Sequence, residues 1–405
     1  MQKPDLLFLA HRVPFPPNKG DKIRSYNMLV ELSKTFNVHL GCFIDDKDDI
    51  GQADNLAPYC ASIHAVWQSK FKAKIRGLKG FIRKQAITLP YYESESMQGW
   101  VKHIIRQHDI KRSLIFSACM AQFVTPYLNE MQHSVLDFVD VDSDKWRQYA
   151  AQKSKLKAWF FKREARLLAE YEAEMAACFD FSTLVSEDEA SLFKSQLPDQ
   201  LHHKVLGIRN GVDTTFFNPE NELPVVADLT PRDIVFTGAM DYWANVNAVL
   251  WFVAKVWRAI RKEHAGSYLW IVGANPSAEI WALNNKHNIR VTGRVADVRP
   301  YLSQAAVSVA PLQIARGIQN KVLEAMAMAK PVVLTHMAAE GIQTQSHSAY
   351  QVIDDPLEMA QAVADLLTNR VTQSPQNRAF VQAHFSWQRE VHIFTRMLLG
   401  ELGDS

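Results

Sequence analysis

The second half of the chain is punctuated by five short apolar runs, Ile234–Gly238, Leu269–Gly273, Ile289–Gly293, Val307–Pro311 and Pro331–Thr335, and three of them end on glycine. Short β-branched runs separated by longer helical stretches are the pattern of βαβ units in a parallel sheet, whose strands are buried on both faces. Ligands of such sheets sit at the carboxyl ends of the strands, where glycine lets backbone and ligand approach closely. The first half repeats the pattern in Leu6–Ala10, Val38–Ile44, Ile63–Gln68, Ser113–Ser117, Val135–Asp140 and Phe181–Ser186, with a long helical stretch around Lys145–Cys178. With 405 residues the chain exceeds one ordinary core, so two doubly wound α/β domains are expected. Pro219, Pro224 and Pro231 lie in a stretch with few long apolar runs, which reads as the connection between domains. The expected organisation is an N-terminal domain over 1–215, a linker over 216–232, a C-terminal domain over 233–383 and a terminal helix within 384–405 that docks back on the first domain. Trp387, Val391, Phe394, Met397 and Leu398 supply that helix with a helically spaced apolar face.

Composition narrows the function classes. A net charge of +2, with 47% hydrophobic and 22% charged residues, describes an ordinary globular protein and gives no global sign of nucleic acid. The cysteines Cys42, Cys60, Cys119 and Cys178 have no paired spacing, against both a disulfide framework and a zinc site. Asp5 precedes the short apolar run Leu6–Ala10, too short for a secretory h-region, and no run approaches the roughly 18 apolar residues of a membrane span. A cytoplasmic protein is expected, in contact with membranes only from the surface.

The stretch from Ala310 to Pro331 holds the most chemistry. If a helix begins near Gly317, its free N–H groups and positive dipole end suit a diphosphate. Lys321 and Glu324 then share a face. The cation can neutralise phosphate, and the carboxylate can accept both vicinal hydroxyls of a ribose. The same spacing fits an ordinary amphipathic helix with a solvated Lys and Glu, so spacing alone leaves both open.

The run Leu323-Glu324-Ala325-Met326-Ala327 followed by Pro331-Val332-Val333 resembles the signature of the retaining, nucleotide-sugar-dependent glycosyltransferases of family 4. Asn210-Gly211-Val212-Asp213, Phe236-Thr237-Gly238-Ala239-Met240 with Asn245, Ile271-Val272-Gly273, Val291-Thr292-Gly293-Arg294-Val295 and Phe385-Ser386-Trp387 match further pieces in order. The resemblance implies a GT-B fold, two Rossmann-like domains facing across a cleft, with the donor on the C-terminal domain. His11-Arg12-Val13-Pro14 through Ser25 and Asp137 through Trp146 resemble a narrower group, the sugar transferases associated with PEP-CTERM/exosortase exopolysaccharide systems. Two departures stand out. The first glutamate of the family's Glu-x7-Glu pattern falls on Arg316, and the basic pair after the first strand of the C-domain is replaced by Ala239, Met240 and the neutral Asn245.

The resemblance implies donor binding by Gly20, Asp21, Arg209, Gly238, Gly293, Arg294, Val295, Gly317, Lys321 and Glu324. Arg316, Lys321 or Arg209 would meet the diphosphate charge, and His11, Asp142 and Arg316 are the candidates near the reacting carbon. Asp21 also reads as a helix N-cap. Asp140, Asp142 and Asp144 suit a capping and acceptor role better than a metal site, so no metal or other cofactor is expected. Over 70–84, cations without an acid flank a stripe of Phe71, Ile75, Leu78 and Ile82, as in a helix lying on an anionic membrane surface. A second basic region, Lys153–Arg166, carries Trp159, Phe160 and Phe161. Transfer of a sugar from a nucleotide diphosphate-sugar to a polyprenyl-diphosphate-linked glycan, with retention, is the expected reaction, on the inner face of the plasma membrane. A sugar-nucleotide epimerase or hydrolase on the same fold, and a catalytically silent scaffold, are the alternatives.

Overall fold

A computed structural model describes residues 3–17, 20–151, 155–314, 318–342 and 350–402. The chain divides into two compact units, Met1–Asn210 with Trp387–Ser405, and Gly211–Ser386.

Unit 1 is built on a seven-stranded sheet in which every pairing is parallel. Its strands are β1 (Asp5–Ala10), β2 (Asn37–Ile44), β3 (Ser62–Trp67), β4 (Arg112–Phe116), β5 (His133–Val139), β6 (Phe181–Leu184) and β7 (Val205–Gly207), in the order β3-β2-β1-β4-β5-β6-β7. Period-two alternation divides β1 between two cores. Leu6 and Phe8 pack with Met28 and Leu29 of helix Gly20–Leu32 and with Val391, Phe394 and Met397 of helix Trp387–Leu399. Leu7 and Leu9 join Met97, Val101 and Ile104 of helix Glu95–His108 on the opposite face. The terminal helix begins at Trp387, after Phe385 and Ser386 have paired with Val212 in unit 2: Phe385 O accepts from Val212 N at 2.7 Å, and Ser386 bridges Val212.

Arg24 crosses the interior of unit 1 as a fully buried cation. It donates to both Asp137 oxygens at 2.7 and 3.1 Å and to Asn210 Oδ1 at 2.9 Å, and lies 5.7 Å from the centre of the Phe394 ring. A bidentate pair with each guanidinium nitrogen engaged is the geometry in which a buried ion pair is tolerated. The long helical stretch around 145–178 is two helices, Asp142–Ala151 and Lys155–Cys178.

Unit 2 carries a six-stranded, all-parallel sheet in the order β10-β9-β8-β11-β12-β13. The strands are β8 (Ile234–Thr237), β9 (Leu269–Val272), β10 (Ile289–Gly293), β11 (Val307–Ala310), β12 (Val332–Leu334) and β13 (Tyr350–Val352). The proline-bearing 216–232 segment packs within unit 2. Leu229 is buried in its core, Gln304 donates to Pro224 O at 3.3 Å, and Arg299 lies over the Phe216 ring at 3.6 Å.

Past the ends of β8 and β9 the backbone closes on itself. Gly273 has φ +155°, and a Cβ there would stand 1.7 Å from Gly238 O. Neither the dihedral nor the space admits a side chain. Gly273→Ala is expected to destabilise unit 2 by about 2 kcal/mol or more, measured as a lowered urea midpoint in the transition that reports unit 2.

Candidate nucleotide-sugar site

A cavity of about 530 Å³ opens in unit 2 at the carboxyl ends of its strands. Its floor is Thr237, Gly238 and Ala239 after β8 and Val272, Gly273 and Ala274 after β9; Arg294 and Val295 follow β10; Ile318 through Lys321, with Glu324, come from the segment after β11. The order of the sheet reverses between β8 and β11, and this switch point is where doubly wound sheets leave room for a ligand. Glycine is required here: besides Gly273, Gly238 has φ +153° and a Cβ on it would meet Asn245 Nδ2 at 2.8 Å. Gly293, the last residue of β10, has φ +69°.

The helix begins later than the sequence implies, over Asn320–Ala327, because Gln319 is extended (φ −90°, ψ 102°) and serves as its cap residue. Lys321 therefore lies in its first turn and Glu324 three residues on. Lys321 is threaded inward. Its Nζ donates to Asn245 Oδ1 and lies 5.3 Å from the centre of the Phe236 ring, while Asn245 Nδ2 donates to Ala239 O at 2.9 Å. Burial pushes the Lys321 ammonium down to about 8 against the opposing field of Glu324. Burial likewise pushes the Glu324 carboxyl up to about 7 against the field of Lys321. The pocket thus holds a desolvated cation and a desolvated acid, each with weakened hold on its charge.

Five of the residues expected at the donor, Gly238, Arg294, Val295, Lys321 and Glu324, line this cavity, and Gly293 stands beside Arg294. Arg316 and Gly317 lie outside the described residues. Tyr242, Asn245, Gln319 and Asn320 also line it and were not expected as ligand contacts. Asn245 carried a signal, as the neutral residue in a place commonly basic; its partnership with Lys321 spans 76 positions and leaves no local trace.

The remaining expected residues belong to unit 1. Helix Gly20–Leu32 starts at Gly20, so Asp21 sits in its first turn and does not cap it. Its carboxylate is drawn instead to Arg12, at 2.6 Å, and to His11 Nε2, at 3.4 Å. Burial alone would raise Asp21, but the His11 hydrogen bond and the Arg12 charge outweigh it and hold the carboxyl far below its usual range. Arg12 also donates to Asp45 at 2.9 and 3.0 Å. His11 stacks on Phe116, with ring centres 5.6 Å apart, and its buried Nδ1 has no hydrogen-bond partner among the described residues. Gly20 faces open space: a Cβ on it would meet nothing within 4 Å. Asp142 opens helix Asp142–Ala151 and shares Lys145 with Asp140, at 3.2 and 2.7 Å. Arg209 pairs with Glu390 of the terminal helix at 3.2 Å.

Residues 231–369 match the family model described as Glycosyl transferases group 1. The C-terminal unit is a glycosyltransferase domain, and the chain is an enzyme of that kind. The two-unit fold is GT-B, shared across the full length of a glycosyltransferase from Rickettsia africae at 14% identity, with both chains covered completely and a TM-score of 0.64. Sucrose-phosphate synthase from Thermosynechococcus elongatus aligns over 100% of both chains at 15% identity and a TM-score of 0.60. HepE of Anabaena, solved with UDP and glucose, aligns over 98% of this chain and 99% of its own at 13% identity and a TM-score of 0.58. No curated protein matches the chain in sequence.

The two buried charges impose a pH signature on the ligand-free protein. Glu324 binds its proton more tightly folded than unfolded, so stability falls as pH rises from about 4.5 to about 7. Lys321 binds its proton less tightly folded, so stability recovers from about 8 to about 10.5. Glu324→Gln is expected to flatten the first limb and, by removing the field that supports the Lys321 ammonium, to start the second at lower pH, read from urea midpoints across pH.

Proposed function

We propose that this enzyme moves a sugar from a nucleotide diphosphate-sugar to a hydroxyl of a lipid-linked exopolysaccharide intermediate, with retention at the anomeric carbon. The observation that carries the donor half is the pairing of Lys321 with Glu324 in one cavity floored by Gly238 and Gly273. The carboxylate supplies two acceptors for a ribose diol, and the ammonium, with the exposed Arg294, faces the diphosphate as negative charge builds on the leaving group. Diphosphate raises the proton affinity of Lys321, while a bound diol favours the ionised form of Glu324. Retention follows from the resemblance of the Leu323–Ala327 stretch to retaining enzymes. His11 is the proposed contact to the reacting sugar, because Asp21 holds one ring nitrogen and the other is unpaired. HepE, solved with UDP-glucose, supports UDP-sugars as the donors to try first.

Glu324→Ala is expected to weaken donor nucleotide binding roughly 10- to 150-fold, the loss of about 1.5–3 kcal/mol for hydrogen bonds to a charged group. Calorimetry with UDP and a panel of other nucleoside diphosphates measures it. Wild-type affinity in the variant would remove Glu324 from the site.

An anionic membrane surface is the proposed place of the acceptor. Among the described residues no helix is long and apolar enough to cross a membrane. The basic stretch 70–84 forms two short helices, Lys70–Gly77 and Lys79–Ile82. They bend because Gly80 packs against the chain ahead, where a Cβ would lie 2.9 Å from Gln85 O. Phe71, Ile75, Leu78 and Ile82 stay exposed, Ile82 at 86%. Helix Lys155–Cys178 joins the same face through Arg163, which donates to Gly80 O at 2.8 Å and lies 4.4 Å from the Phe81 ring centre, and it leaves Trp159 63% exposed. Glu93 pairs with Lys79 and Arg83, while Lys72, Lys74 and Lys84 stand at the surface. Apolar side chains ringed by lysine insert at an anionic interface, with each cation adding about 1 kcal/mol. The double variant Phe71→Glu, Ile82→Glu is expected to lose co-sedimentation with phosphatidylglycerol vesicles and to keep nucleotide binding.

A further inference from the structure

Asp5, His39 and His108 are far apart in sequence and meet at the amino-terminal edge of the unit 1 sheet, away from the carboxyl ends where His11 and Asp21 lie. Register brings the first two together: Asp5 pairs with Asn37, so His39 stands two residues along the neighbouring strand. His108 closes helix Glu95–His108, and the chain reverses there through Asp109, at φ 47°. One ligand atom from each of the three residues lies within 4.8 Å of the other two. They are the one such His/Cys/Asp/Glu group among the described residues.

We propose that these three side chains form a divalent metal site of the zinc class, with Asp5, His39 and His108 as protein ligands and water completing a tetrahedron. One ligand pair already stands at the spacing the ion requires, and the third ligand atom lies within 4.8 Å of both. Tetrahedral bonds of roughly 2.0–2.1 Å put neighbouring ligand atoms about 3.3 Å apart, and His39 Nε2 stands 3.1 Å from Asp5 Oδ1. The imidazole rings of His39 and His108 have centres 4.5 Å apart, a proximity that suits two neutral ligands on one cation and not two imidazolium ions.

The outer contact is also in place. His39 Nδ1 meets Ser62 Oγ at 2.8 Å, so the far nitrogen of a buried ring is fixed by a hydroxyl, as the supporting shell of a metal-bound histidine requires. With the ring proton of His39 on Nε2, that nitrogen donates to Asp5 and the hydroxyl of Ser62 donates to Nδ1. Binding transfers that proton from Nε2 to Nδ1, which then donates to Ser62 Oγ, while Nε2 gives its lone pair to the metal. The N–H bond at Nε2 breaks, one at Nδ1 forms, and no oxidation state changes. The ligands are one imidazole from β2, one from a helix end and one carboxylate from the start of β1. An oxygen and two nitrogens suit Zn2+ over the harder Mg2+ or Ca2+. The ion would clip the end of helix Glu95–His108 to β1 and β2. That role is structural and independent of the donor site in unit 2.

Full-length protein, free of any affinity tag, is dialysed against zinc chloride and then metal-free buffer, and its metal content is measured by mass spectrometry. Cobalt substitution reports coordination by visible absorption. One zinc per chain and the intense visible bands of tetrahedral cobalt are expected. His108→Ala and Asp5→Asn are expected to lose both, and His103→Ala, on the same helix, to keep both. Ser62→Ala should weaken zinc binding roughly 10- to 100-fold with the fold retained by circular dichroism. Wild-type protein that retains no stoichiometric zinc overturns the proposal, as does full zinc content in both His108→Ala and Asp5→Asn. Nucleotide binding measured in the same samples tests the donor site separately, since its residues lie in the other unit.

Discussion

The site in unit 2 depends on two strands ending without side chains. Where β8 and β9 run out, Gly273 and the carbonyl of Gly238 come so near that a single Cβ would fill the gap. At Gly238 and Gly273 backbone alone therefore faces the cavity, and a ligand can approach peptide groups that a larger residue would cover. The helix after β11 crosses above this floor, with Leu323 and Met326 fully buried beneath it. Packing fixes the direction in which Lys321 and Glu324 point, and the positions of those two charges follow from the close approach of the strands.

The protein offsets the buried charge in this cavity only in part. Lys321 finds a neutral partner in Asn245 and the face of Phe236, neither of which cancels its charge. Glu324 stabilises the ammonium through its field alone. A full salt bridge would satisfy both groups and leave little for a ligand to gain. An amide in place of a second cation gives a different result: the lysine is positioned, its desolvation is left incompletely offset, and an incoming anion supplies what is missing. The neutral Asn245, a departure from the pattern the chain resembles, thus acts to hold the remaining cation in place.

The two parallel sheets were legible in the sequence because strand composition and glycine placement are local: Ile234–Gly238, Leu269–Gly273 and Ile289–Gly293 each carried their own punctuation. Lys321 and Glu324 were legible for the same reason, since helical spacing places them together. The start of their helix was not, because nothing in the residue type of Gln319 marks its extended backbone. Asp21 had the residue type of an N-cap, but Arg12 competes for its carboxylate with a charged hydrogen bond, and the stronger partner takes it. His39 and Asp5 stand 34 positions apart and meet by strand register. Nothing in a single sequence states register between neighbouring parallel strands.

Unit 1 carries a surface that solubility alone does not explain. A short basic segment could bury its apolar stripe by rolling it inward, yet Ala73, Gly77 and Gly80 occupy the inner face and Phe71, Ile75, Leu78 and Ile82 the outer one. The glycines decide this orientation. At Gly77 and Gly80 the chain around Ile87 approaches within 3.4 Å of where a Cβ would be, so small residues must face inward and large ones have only the outside left. The resulting helix pair is too short and too broken to be stable as an isolated peptide. It is held by Arg163 and by the Glu93 pairs with Lys79 and Arg83. Contacts that fix a face while leaving its apolar side chains in water have the character of an interface held ready, and the lysines beside them would favour a negatively charged one, as proposed above.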